Sequence, residues 1–292
     1  MKFSLFTGSA PEWTPEQVAT EAAAQGWDGL EWRIADQVAS TTPGFWAGSL
    51  ATFPLTGVEA FAPQISGLAR SAGLALSGLA PYVPISDPVN AERMLRLAAT
   101  TGAGRVRFTT PKPTDASSYD DLFTQTRKGL EVLQEIARPI GAQVVIQMHH
   151  GTITPSSSSA RRLVEGLDPG AIAVMHDLGN TTIEGREGLL SLKIGLEILG
   201  PYLAHVHIKN AQWQTDGTDE DGAVKWKWAW APLKKGMGDV KAYFRALHAV
   251  GYDGWVALEE FTTELPLQER LADDLAFLKS AAQAAVYPVS TR

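Results

Sequence analysis

The chain has 292 residues, 45% of them hydrophobic, enough for a sizeable core. A formal charge of -7 argues against a nucleic-acid groove or an anionic membrane surface. There is no cysteine, which excludes disulfides and thiolate metal sites. The N-terminal Met1–Phe6 stretch turns polar too quickly for a signal peptide, and no run reaches the ~18 apolar residues of a membrane span. The expectation is a soluble cytoplasmic protein.

Strand-like and helix-like segments alternate from end to end. Phe3–Thr7 reads as a first strand. Thr14 then caps a helix, with Pro15 at its first position and Gln17 closing a capping box. Gly29–Arg33, Leu74–Leu79 and Val106–Thr109 read as strands two to four. Helices are expected over about 88–101, where Met94, Leu95, Leu97 and Ala98 form a stripe, and over about 119–137. Val144–Met148, Ile172–Met175, Ala204–Ile208 and Trp255–Leu258 follow as strands five to eight, and a last helix is expected over about 267–284. Eight such strands predict a (β/α)₈ TIM barrel over residues 1–292, a single domain. An open doubly wound sheet is the alternative, but no glycine-rich phosphate loop follows the first strand. The stretch 211–238 reads as a long irregular, aromatic-rich insertion holding Trp213, Trp226, Trp228 and Trp230, a candidate lid or binding loop.

The last four strands each end in polar residues, and barrel chemistry sits at that end. Gln147, Asp177 and His207 stand thirty residues apart, and Glu259 follows fifty-two later. Strand alternation puts Glu259 on the face of Ala257 and Asp177 on the face of Ala173, inward in both cases, and excludes Glu260 and His176. Five of the six histidines lie in these segments. Such a set of oxygen and imidazole ligands suits one divalent cation, with manganese first and magnesium, cobalt or zinc compatible.

The segments Gly26–Trp32 (GWDGLEW), His205–Asn210 (HVHIKN) and Gly251–Glu260 (GYDGWVALEE) resemble the xylose-isomerase-like TIM barrels, the sugar phosphate isomerase/epimerase family. The resemblance implies a divalent cation held by Glu, Asp, His and Glu from strands five to eight. Carried over, these fall on Gln147, Asp177, His207 and Glu259, and the first departs from the family pattern. Glutamine can lend a carbonyl oxygen but cannot exchange a proton. Family enzymes often work with two glutamates on opposite sides of the substrate, so only Glu259 remains here. His149 shares the parity of Gln147 and is the expected replacement base; His150 is expected to point away into a loop hydrogen bond. Lys209 matches the lysine of the family's H-x-K-D pattern and is expected near substrate oxygens. Glu31, Arg33, Arg107 and Trp213 are candidate substrate contacts, with buried ion pairs or a homo-oligomer interface as the competing uses.

The implied activity is metal-dependent isomerisation or epimerisation of a sugar or keto-sugar by proton transfer beside a carbonyl. The alternatives are a lyase or dehydratase on a keto-sugar or inosose, with His149 as acid, and a non-catalytic sugar-binding barrel. The family's DNA-repair branch carries extra histidines and a basic face, from which this acidic chain departs.

Overall fold

In a computed structural model, residues 1–185 and 189–286 are described. Eight parallel strands close into a barrel: β1 (Lys2–Phe6), β2 (Gly29–Ile34), β3 (Ala75–Pro81), β4 (Arg105–Phe108), β5 (Gln143–Gln147), β6 (Ile172–Asp177), β7 (Leu203–Ile208) and, after an excursion, β10 (Trp255–Leu258), which pairs with both β7 and β1. Between them lie α1 (Pro15–Gln25), α2 (Ala62–Ser71), α3 (Pro88–Thr101), α4 (Tyr119–Ile140), α5 (Ser157–Val164), α6 (Leu178–Glu184), α7 (Leu189–Leu199) and α8 (Val240–Ala249), and α9 (Leu267–Val286) closes the ring. This is the expected TIM barrel. Among the described residues no helix is long and apolar enough to cross a membrane.

Local chemistry fixes the helix starts. Thr14 and Gln17 exchange the two hydrogen bonds of a capping box on α1, and Ser156 with Ser159 does the same on α5. Asp87, Ser118 and Asp239 cap α3, α4 and α8. The strands bury both faces. Their outer sides join the helices in one large apolar core containing Leu5, Leu30, Leu79, Val106, Ile146, Val174, Val206 and Leu258. A separate small cluster of Val145, Ala173 and Met175 fills the inside. Much of the rest of the barrel interior is polar, including Ser4, Glu31, Arg107, His205 and His207, and this opens the way to chemistry.

The insertion departs from the expectation of an irregular loop. It is an antiparallel hairpin, β8 (Asn210–Thr218) and β9 (Val224–Ala231), with Trp213 opposite Trp228 and Thr215 opposite Trp226. The reason is the alternation Lys225-Trp226-Lys227-Trp228-Ala229-Trp230, a period of two that makes one aromatic and one polar face.

Candidate active site

The four strand ends converge. Asp177 closes β6 and at once caps α6, its Oδ1 accepting the Asn180 amide at 3.0 Å. Its Oδ2 accepts from Gln147 Nε2 at 2.7 Å, from Asn180 Nδ2 at 2.8 Å and from Lys209 Nζ. Lys209 reaches Glu259 as well, so one buried ammonium spans two buried carboxylates. Gly179 makes room for it: a Cβ there would stand 2.4 Å from Lys209 Cγ. Burial pushes the Lys209 ammonium down, but Asp177 and Glu259 outweigh it and hold the pKa above the usual value. Burial likewise pushes Glu259 up, and Lys209 and then His207 carry it well below the carboxylate range.

His207 bonds at both ring nitrogens, Nδ1 to Glu259 Oε2 at 3.2 Å and Nε2 to Glu31 Oε2 at 2.5 Å. Desolvation lowers its pKa, but the two carboxylates raise it to about 9. Glu31 also meets His205 Nε2 at 3.3 Å, and its own carboxyl is held below the usual range by both imidazoles despite burial. Glu31 therefore sits beneath the mouth as an orienting partner of His207 and does not line the cavity.

A cavity of about 540 Å³ opens above this layer, within the range of small-molecule sites. Gln147, Lys209, Glu259 and Arg107 contribute to it, and Glu259 is its one carboxylate among the described residues. Arg107 is buried over the rings of Tyr82 at 4.7 Å and Phe6 at 5.5 Å, and its Nε and Nη2 have no hydrogen-bond partner. Arg33 lies behind the wall instead, donating to the Phe45 carbonyl and stacked among Phe45, Trp46 and Tyr82. Trp213 is also off the cavity wall, its Nε1 donating to the Ile183 carbonyl at 2.9 Å. Trp228 and Trp230 take the wall position, with Trp230 stacked on Phe261 at 4.7 Å.

Both adjacent histidines reach the cavity, which strand alternation excluded for His150. The strand ends at Gln147, so alternation no longer governs the next residues. The rings stack at 4.3 Å. His149 Nδ1 stands 2.8 Å from the His150 carbonyl, an acceptor only, so Nδ1 carries the proton and Nε2 keeps its lone pair. Burial, reinforced by Lys209, lowers the His149 pKa to about 4, so the ring is neutral at pH 7. His150 Nδ1 meets Asn180 Oδ1 at 2.9 Å, and Asn180 also donates to the Met148 carbonyl, tying the loop after β5 to α6. His176 lies on the outer side, against Tyr243 Oη at 2.7 Å.

Ligand atoms of Asp177, His207 and Glu259 all lie within 4.8 Å of one another. His207 presents Nδ1 to that cluster while Nε2–H points at a carboxylate, the usual support for a metal-bound imidazole. The Lys209 ammonium stands on the two carboxylates as a resident cation. The donor set fits a divalent ion once Lys209 withdraws and the Gln147 amide turns its oxygen inward.

Residues 19–281 match the model of the xylose isomerase-like TIM barrel family. The chain belongs to this family. An inosose dehydratase of Lacticaseibacillus casei is 30% identical over 149 residues, covering 48% of this chain and 47% of the relative. One from Geobacillus thermodenitrificans is 26% identical over 136 residues, covering 45% and 44%. The chain thus spans about half the length of the curated relatives it matches. Similar solved folds include a 3-keto-D-glucoside 4-epimerase from E. coli (TM-score 0.71, 19% identity, 96% of this chain and 99% of that one). Another is an IolI protein with a bound zinc atom (0.72, 16%, 100% and 100%). A third is a D-psicose 3-epimerase from Clostridium cellulolyticum (0.70, 13%, 97% and 99%).

Proposed function

We propose that this barrel is a divalent-metal-dependent isomerase or epimerase of a keto-sugar, working with two unlike bases. The observation that carries it is the pairing of an ionised Glu259 with a neutral His149 whose Nε2 is bare, on one cavity wall each. Their strands, β10 and β5, are separated by β7 and β6 around the barrel, so the two groups approach a bound ring from different sides. Glu259 takes the proton from the carbon beside the carbonyl, and the neighbouring Lys209 ammonium stabilises the oxyanion that develops. Delivery of a proton at the other face then falls to His149 Nε2, which draws that proton from solvent while the proton on Glu259 is released to solvent to reset both groups; in the return direction the neutral His149 takes the proton. Asp177, His207, Glu259 and the Gln147 amide oxygen would hold the ion, with manganese the expected metal. When bound, it supplies Lewis-acid polarisation of substrate oxygens. Arg107, on the cavity lining, offers its guanidinium to the oxygens of the substrate. The zinc of the IolI neighbour supports a metal here, and the sugar epimerases among the similar folds support the reaction class.

A second reading, dehydration of an inosose, is favoured by the named activity of the curated relatives. It needs only one base, and the protonated Glu259 could then serve the leaving hydroxyl.

Turnover of keto-sugars and inososes in D₂O separates these readings. Two-base epimerisation gives deuterium at the inverted carbon in the wild type. His149→Asn should still exchange the proton that Glu259 removes while forming no epimer. Loss of water from the substrate, with no decoupling in His149→Asn, would replace the first reading by the second. No exchange and no product with any of these substrates would sink both.

A further inference from the structure

The hairpin's aromatic face does not stop at the cavity. Residues directly opposite in an antiparallel pair share a face, and so do residues two apart. Trp230, Trp228 and Trp226 of β9 therefore stand on one side, together with Trp213 of β8. Trp230 and Trp228 line the cavity, their centroids 5.1 Å apart, and His150 packs edge-on against Trp228 at 4.9 Å. The same row then leaves the cavity: Trp226 is 61% exposed, two residues or roughly 7 Å further out. The opposite face is polar, with Gln212, Gln214, Lys225 and Lys227, the last paired with Asp216 at 2.7 Å. An exposed aromatic row that continues the wall of a polar cavity is a binding surface rather than scattered surface apolarity.

The cavity itself exceeds what one sugar ring needs. A hexose has twelve non-hydrogen atoms, whereas cavities of this size hold drug-sized molecules. Flat C–H faces of pyranose rings suit indole faces, and alternate strand positions set Trp226 and Trp228 roughly 7 Å apart along one face.

We infer that the substrate is a glycoside of at least two rings: the ring that reacts lies over Glu259 and Lys209, and a second, glycosidically linked pyranose stacks on Trp228 and Trp226. This rests on the sugar reading of the site given above, and names its substrate class. The aromatic row is a second subsite, and Trp226 determines specificity without touching the reacting atoms.

The test measures binding of methyl β-D-glucopyranoside and of cellobiose by calorimetry, with wild type and Trp226→Ala, alongside sedimentation velocity. Neither sugar carries a ketone, and cellobiose is used as its methyl β-glycoside, whose locked anomeric carbon cannot open to an aldehyde, so turnover does not interfere. Cellobiose should bind the wild type about three- to tenfold more tightly than the one-ring glycoside. Trp226→Ala should erase that advantage and leave the one-ring affinity unchanged, and Trp226→Phe should keep most of it. Equal binding of the two sugars by the wild type would overturn the two-ring substrate while leaving the sugar site intact. Binding of neither at millimolar concentration would sink the sugar reading itself. A variant that dissociates a larger species and leaves both affinities untouched would show the row to be a subunit contact, which also overturns the proposal.

Discussion

Lys209→Met isolates the role of the ammonium that spans Asp177 and Glu259. Methionine keeps the stem that passes over Gly179 and removes only the charge. In the absence of metal, two carboxylates that are almost wholly buried lose their shared cation. Breaking a buried pair this way costs about 3–5 kcal/mol, because the remaining charge is left uncompensated. For a chain of this size that is a fall in Tm of roughly 5–8 °C. A divalent cation then has no competitor for the same oxygens. Free Mn²⁺ at a hundred times its Kd should return about 2.7 kcal/mol to the variant. The wild type should gain less, since its ammonium must first be displaced. The assay is thermal denaturation of both proteins in EDTA and in Mn²⁺, with elemental analysis of each. A variant that melts with the wild type in EDTA would refute the lysine bridge. A variant that is destabilised and gains nothing from Mn²⁺, Co²⁺ or Zn²⁺ would refute the ligand set.

Glu31→Gln removes the anionic acceptor behind His207 Nε2, and metal affinity measured by competition with a chelator should fall about 10- to 100-fold with the barrel still folded. In the return direction His149 is the base that takes the proton and must be neutral, so with its pKa lowered to about 4 the acid limb of kcat/KM measured from the epimeric product should lie near pH 4, with no His149 inflection between pH 6 and 8. A limb near 6.5 that vanishes in His149→Asn would contradict the desolvated ring. Asp274, buried beside Glu260 and with Oδ2 unpartnered, is pushed up from 3.8 to about 7, chiefly by burial. Its folded pKa lies above its unfolded one, so stability is lost as pH rises from about 4 through 7. Asp274→Asn should therefore stabilise the protein at pH 8 by up to about 4 kcal/mol and far less at pH 5, read by denaturation at the two pH values.

The barrel is legible in the sequence because each inner strand is a short apolar run, bounded by helix caps and ending in polar residues. Asp177, His207 and Glu259 could be placed by alternation alone, since each lies within or next to a regular strand. His150 could not, because the strand stops three residues before it and its ring is placed by tertiary contacts with Asn180, His149 and Trp228. That contact has a faint sequence signal in the Asp177-x-x-Asn180 capping spacing. Glu31 reads as a cavity residue until the closed barrel brings β2 across to β7, a proximity that no linear pattern encodes. Trp46, Tyr82 and Phe261 were invisible for a simpler reason: they sit outside regular elements, where no period fixes a direction. The hairpin carried its period of two in plain view, but its glycines and acids at 216–222 read as loop.

Asn210 stands where β7 hands over to the hairpin, and its side chain holds both ends of the excursion. Oδ1 accepts from the amides of Ala211 and Gly238, and Nδ2 donates to the carbonyls of Leu233 and Gly238, all at 2.9 Å. Gly236 fits only because it has no Cβ, which would stand 2.2 Å from the Asn210 amide. One residue thus works as a clasp between two separable parts. The hairpin can lengthen, shorten or change its residues while the chain still returns to the same point of the barrel. What the protein accepts and what it does to it are free to evolve apart.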